Sequence, residues 1–396
     1  MEDYEAQEIE FWAKLEEEGM SRSAMLRRSV AAAAGLTVLG SASTALGMSR
    51  ARLASPPLKG SSISMKELVA AAKKEGKLNV IALPHDWANY GEIISTFKKK
   101  YGLSMDEQNP DGSSAQENQA IVSLKGDPRA PDVVDVGPSF AISGANTGLY
   151  AKYFLTKFKK IPRAMKDTRG FWWADYWGVI SFGVNTAVVS NPPTTFKDLL
   201  KPEYRNKVAL NGSPLTANAA LSGVFAASIA NGGSLNDIGP GIDFFAQLKK
   251  AGNFVPIQAT PQTIASGQTP IVLDWDYLNF AYIKEFPSAK IKVTVPTDGV
   301  YGSYYCQAIN ANAPHPFAAR LWEEFLYSDQ GQLLWLKGGS HPALFADLQG
   351  RKVIPKSYLS ALPSPAAYAK VKFANAAQLT KAKAQIANEW PTKVGS

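Results

Sequence analysis

One cysteine, Cys306, and three histidines (His85, His315, His341) are all that 396 residues offer to thiol or imidazole chemistry. A lone cysteine excludes an intrachain disulfide and a cysteine-cluster zinc site, and no two histidines stand at a metal-ligand spacing. No Gly-x-Ser-x-Gly motif occurs, and no nucleophile, base and orienting acid fall into a recognisable order. Charged residues make up only 19% of the chain, and its lysines are scattered over apparent helix ends (Lys98–Lys100, Lys159-Lys160, Lys249-Lys250) rather than joined to a nucleic-acid-binding motif. There is no internal repeat. The longest mildly apolar run, Val30–Leu46, is too short and too rich in Ala, Gly and Ser to span a bilayer.

What remains is a composition of 45% hydrophobic residues suited to a soluble globular protein, and a length that favours two domains over one small core. The first 47 residues stand apart. An acidic, helix-prone stretch precedes Met-Leu-Arg-Arg-Ser (25–29), the apolar run, and small residues at Ser43, Ala45 and Gly47. A basic segment, an apolar segment and a small-residue end compose an export signal cleaved near residues 45–47, and Arg27-Arg28 suggests the twin-arginine route; Met20 offers an alternative start. A buried Ala-rich helix is the bland alternative. Residues 1–47 hold 4 of the 42 basic and 8 of the 34 acidic groups, so the remainder carries a net charge of +12. In an exported protein such a surface suits an anionic membrane face or a partner better than nucleic acid.

After a Pro/Ser/Gly-rich linker (48–63), Ser64 and Glu67 cap a helix that Gly76 stops. A strand (78–83), a helix (90–100), a strand (103–107), a helix (115–124) and a strand (133–137) follow, the pattern of a mostly parallel sheet covered by helices. Ligands meet such sheets at the loops following the strands: here 84–90, 110–114 and 137–139. The stretch Phe171–Asn185 crowds Trp172, Trp173, Tyr176 and Trp177 around Asp175 and runs into an apolar β-prone segment. It reads either as a strand crossing between two lobes with its aromatic start at a cleft, or as a core strand. A second βα rhythm has strands at 208–210, near 254–257, at 269–273 and at 291–295, and Asn211–Thr216 leads into a helix whose free amides suit a polar ligand oxygen. The rest, from His315 to Trp390, is helical.

The pieces Leu83–Gly91 with Phe97–Gly102, Ala130–Gly137, Trp177–Asn185, Ile271–Tyr277, and Ala308–Asn310 with His315-Pro316, in that order behind an export signal, resemble the extracellular solute-binding proteins of ABC importers. The chain is similar to their two-lobed type II family, which includes polyamine-, iron(III)- and thiamine-binding members. The resemblance implies an α/β fold of the periplasmic-binding-protein type II, with two lobes joined by two hinge strand crossings. Lobe one would be 64–177 plus 300–396 and lobe two 178–299, with crossings near Gly178–Val184 and Thr294–Ser303. It implies a periplasmic, non-enzymatic monomer without a cofactor that closes on a small solute and delivers it to an inner-membrane ABC permease.

The candidate ligand residues are those the loops and crossings present. Trp87 and Tyr90 suit stacking or helix-start packing, and Asp86 suits contact or, better, the N-cap of the following helix. Ser113, Asp135 and Ser139 close the first-lobe loops; Asn211, Ser213 and Thr216 lie ahead of a helix; Trp173, Asp175 and Tyr176 belong to the crossing. Asp274, Trp275, Asp276 and Tyr277 end a buried-type strand, and Tyr301 and Tyr304 stand by the second crossing, each with core packing as the alternative. Carboxylates among aromatic faces suit an organic cation such as a polyamine. Iron(III), thiamine or a phosphonate stay open as solutes, and Asp274 with Asp276, i and i+2 on one strand face, keeps an exported hydrolase open.

Overall fold

The computed structural model describes residues 56–359, 362, 368 and 370–395. The export signal, its Met20 alternative start, its cleavage site and the linker up to residue 55 lie outside the described residues. Among the described residues no helix is long and apolar enough to cross a membrane.

Helix α1 (Met65–Glu75) opens where its sequence signature places it. The Ser64 hydroxyl accepts from the Glu67 amide, the Glu67 carboxylate accepts from the Ser64 amide, and Gly76 ends the helix at a φ of 76°. Then come β1 (Lys77–Ile81), α2 (Tyr90–Tyr101), β2 (Ser104–Gln108), α3 (Ser114–Ser123), β3 (Val133–Val136) and α4 (Pro138–Asn146). The chain continues through β4 (Trp173–Asn185), β5 (Val208–Leu210), α5 (Asn218–Ala230), α6 (Gly239–Lys250), α7 (Pro261–Ser266), β6 (Ile271–Trp275), α8 (Asp276–Glu285), β7 (Ile291–Thr294) and β8 (Gly302–Ile309). It ends in α9 (Pro316–Leu326), α10 (Asp329–Lys337), β9 (His341–Pro342), α11 (Phe345–Gly350), α12 (Lys356–Leu359) and α13 (Ala376–Lys393).

Strand β4 joins two regions of sheet. Its first half, Trp173–Val179, pairs with β8 and β9, and β8 pairs onward with β3. Its second half, Ile180–Asn185, pairs with β6 and β7, and β6 pairs with β5. Every residue of β4 except Trp177 is buried, which is why the strand reads as a nearly unbroken apolar and aromatic run.

Several local expectations change. The strands form two sheets: β1 and β2 pair in parallel by themselves, and the seven-stranded sheet is mixed, with β5–β6 parallel while β4 runs antiparallel to each of its neighbours. A strand that carries the chain one way and a strand that brings it back must point in opposite directions. Around residues 254–257 only Phe254 bridges to Val208, because Pro256 has no amide to continue a ladder. Asp86 caps no helix: α2 starts after Asn89, which takes a left-handed φ of 70°, and Asp86 stays exposed in the turn before it. Asp274 lies within β6, which ends at Trp275, but Asp276 opens α8, so the two carboxylates share no strand face.

The final helix packs on two separate parts of the fold. Lys383 Nζ sits 3.8 Å from the Phe140 ring centroid on α4, while Trp390 packs on Phe245 of α6 at 5.4 Å and on Phe254 at 6.4 Å.

Candidate functional site

A cavity of about 520 Å³ opens where the loops after β1 and β2 and the end of β3 face the loops after β5 and before α7. From the first set come Pro84, Asp86 and Trp87, then Pro110–Ser114 with Gln116 and Glu117 of α3, and Asp135 of β3. From the second come Leu210–Pro214, Thr216–Ala219, and Phe254 with Pro256–Pro261. Leu278 and Tyr282 of α8, Tyr305 of β8, Trp390 and Gly395 complete the wall. Its acidic members are Asp86, Asp111, Glu117 and Asp135; among the described residues no Lys, Arg or His side chain lines it.

Asp135 is the best-supported of these. Its Oδ2 accepts the Tyr90 hydroxyl at 2.6 Å and the Tyr176 hydroxyl at 3.0 Å, and its Oδ1, fully buried, has no partner among the described residues. The Tyr176 oxygen in turn accepts the Trp87 indole N–H at 2.7 Å. Behind them the Gln307 amide donates to Asp175 Oδ2 at 2.9 Å and to the Tyr90 oxygen at 3.0 Å. Loss of water pushes the Asp135 carboxyl up to about 7. Glu117, whose Oε2 accepts the Asp135 amide at 2.8 Å, is raised well above the carboxylate range by burial and then by the Asp135 charge; burial raises Asp175 likewise.

Asp86, Trp87, Ser113, Asp135, Asn211, Ser213 and Thr216 line the cavity. Tyr90, Asp175 and Tyr176 form the layer directly behind it. Asp274 stands behind Asn211, whose side-chain amide it accepts at 2.8 Å, and burial lifts it to about 7. Trp275 donates from Nε1 to the Tyr305 hydroxyl at 3.4 Å, and Tyr277 meets Trp87 edge-on at 6.4 Å.

The other candidates lie off the wall. Trp173 sits in the core with its Nε1 3.4 Å from Glu323 Oε2. Asp276 accepts from the Val179 amide and the Tyr368 hydroxyl, Tyr301 stacks on Phe225 at 4.8 Å, Tyr304 donates to the Ala164 carbonyl, and Ser139 is buried on α4. Alternation along β8 separates Tyr304 from Tyr305: successive residues face opposite ways, and only Tyr305 reaches the cavity.

Sequence reasoning passed over Glu117, Asn218, Tyr282 and Trp390, all on the wall. Glu117 reads as an ordinary acid in a helix's first turn, and Asn218 as an ordinary residue near a helix start. The second buried acid, three residues past the Ser114-Ala115 helix start, was the one usable signal. Among the described residues no group of three His, Cys, Asp or Glu side chains converges as a metal site.

A family model for bacterial extracellular solute-binding proteins matches residues 129–364. Among solved structures, the chain is similar to the periplasmic binding protein AgtB from A. tumefaciens R10 in complex with agropinic acid, at 14% identity and a TM-score of 0.66, covering 81% of this chain and 99% of that one. It is similar to the periplasmic binding protein AfuA from Actinobacillus pleuropneumoniae with fructose-6-phosphate bound, at 17% identity and a TM-score of 0.64, covering 80% and 99%. The apo ferric ion-binding protein A of Pasteurella haemolytica matches at 16% identity and a TM-score of 0.54, covering 81% and 96%. At these identities the likeness shows a shared two-lobed α/β fold.

Proposed function

Because the chain belongs to the bacterial extracellular solute-binding protein family of ABC importers, we propose that its solute is a small organic cation captured in the cavity described above. The observation that carries this reading is the acidity of the wall: four carboxyl side chains and, among the described residues, no basic one. A desolvated ammonium–carboxylate hydrogen bond contributes about 1.5–3 kcal/mol, and an aromatic face such as Trp87 or Tyr305 about 0.5–2 kcal/mol more.

On this reading the lobes are 64–177 plus 300–396 and 178–299, hinged at 178–184 and 294–303. The halving of β4 between two sheet regions supports the first hinge. Closure of the lobes buries the solute, and the closed monomer docks on an inner-membrane permease. Residues 25–47 send the chain to the periplasm by the twin-arginine route. No reaction is part of this role.

Thermal-shift titration of the purified chain with polyamines and other amines, thiamine, ferric ion and phosphonates tests it. Amines should raise the melting temperature with concentration and be recovered unchanged. Stabilisation by phosphonates or ferric ion alone would overturn the cationic reading, and conversion of the amine would overturn the binding role.

A further inference from the structure

The cavity has a second pole, opposite in character to its acids. Helix α5 starts on the wall after Ala217, which supplies no side-chain cap. Its first intrahelical bond runs from the Leu221 amide to the Ala217 carbonyl at 3.1 Å, and the amides of Asn218, Ala219 and Ala220 before it have no acceptor among the described residues. The start of α3, also on the wall, is closed by contrast: Ser113 Oγ accepts the Gln116 amide, and the Ala115 amide donates to the Thr216 carbonyl at 3.4 Å.

At the open end stands Asn218. Its side chain is 2% exposed, lines the cavity, and has no partner for either Nδ2 or Oδ1 among the described residues. A buried amide left unsatisfied on both atoms is costly to the free protein, and a bound group that accepts from Nδ2 removes that cost. Three free amides and the positive end of a helix dipole converge there, an arrangement that holds an oxyanion.

The two poles are close. A methyl group built on Gly137 would fall 2.4 Å from Asn218 Cγ, and Gly137 lies two residues beyond Asp135, on the order of 7 Å along an extended chain. Asp135 Oδ1 is an unpartnered acceptor and Asn218 Nδ2 an unpartnered donor in one cavity. We propose that the solute is a short zwitterion, its ammonium against Asp135 and Glu117 and its carboxylate or other oxyanion on Asn218 and the N-terminus of α5. The proposal rests on the cationic reading above and narrows it from amines in general to amines that also carry an oxyanion.

Isothermal titration of the purified chain with α- and ω-amino acids of increasing length, the diamines of matching length, and the matching simple carboxylates tests it. At least one amino acid should bind ten or more times more tightly than its diamine and its simple carboxylate. Asn218→Asp should lose at least tenfold in amino-acid affinity and shift preference toward the diamine. Diamines binding as well as or better than every amino acid would overturn the zwitterion and leave the cationic reading standing. Simple carboxylates binding best, or no amine binding at all, would overturn both. The preference of the unaltered chain decides the matter even if the variant does not fold.

Discussion

Tyr176 holds Asp135 from behind the cavity wall: its hydroxyl donates to Oδ2 at 3.0 Å, on the same oxygen that accepts Tyr90, and Oδ1 has no hydrogen-bond partner among the described residues. An aspartate fixed by two tyrosines through one oxygen keeps the other for a ligand. Asp135→Asn preserves an acceptor for both tyrosines but removes the charge. Solute affinity should fall roughly 10- to 100-fold, the loss of one charge-assisted contact, while the free protein should gain stability at pH 7.5 and above, where the buried carboxyl otherwise has to ionise. Calorimetric titration paired with urea unfolding separates the two effects.

Affinity should depend on pH. Burial places the free Asp135 carboxyl at about 7, so below that pH a cation must displace a proton before it can pair. Binding should weaken by up to tenfold per pH unit below 7 and level off above it. Titrations in buffers of different ionisation enthalpy should show proton release on binding at pH 6. A pH-independent affinity would mean that Asp135 does not meet the solute's charge.

The free protein's stability should move the other way. Asp135 and Asp274 at about 7, and Asp276 at about 6, all lie above the ordinary aspartate value of about 3.9, so the folded state holds more protons than the unfolded one between those limits. What these groups contribute is fully present below pH 4 and is lost as pH rises to 7. Salt-bridged Asp329, held low by Arg351 and Lys157, acts only at lower pH still, so it leaves this window intact. Melting temperatures of the unliganded chain should therefore fall from pH 5 to pH 7.5, and Asp274→Asn should flatten that slope.

Gly137 carries no left-handed strain; it is needed for space. A Cβ there would meet Asn218 Cβ and Cγ at 2.4 Å. Gly137→Val should hold the α5 start away from β3, lowering solute affinity at least tenfold and enlarging the radius of gyration of the liganded protein in solution scattering.

Much of this was legible in the chain. The Ser64–Glu67 cap and Gly76 stop, the alternating strands and helices, and the long strand within Phe171–Asn185 follow from local spacing and side-chain type. Of the three loops expected at the ligand, 84–90 and 110–114 supply cavity residues, whereas near the third only Asp135, inside the strand before 137–139, lines the wall. What local pattern could not carry was which side of a wall a residue takes. Asp135 and Asp175 are both buried acids on apolar strands, yet one reaches the cavity and the other is tied to Gln307 behind it. Register at β8 decides between Tyr304 and Tyr305, and a bulge in β4 between Ala174 and Trp177 shifts Asp175 and Tyr176 out of simple alternation. The position of α13, set by contacts some 150 residues away in sequence, has no local signature.

Trp390 ties that last helix to the cavity. Its ring packs on Phe245 and Phe254, it is 3% exposed, and one edge of it lines the wall. Trp390→Ala should cost about 3–5 kcal/mol, because the emptied site is bounded by rings on rigid elements that cannot collapse into it. The nearby ion pair of Lys393 with Asp243, at 2.7 Å but with both side chains exposed, should contribute no more than about 1 kcal/mol when broken by Lys393→Ala. Since α13 reaches α4 through Lys383 and Phe140 as well as α6 through Trp390, loosening its end should weaken solute binding beyond the loss of stability alone. Chemical denaturation and calorimetry on the two variants check this: equal effects would remove Trp390 from the wall's role, whereas a large loss confined to Trp390→Ala supports it.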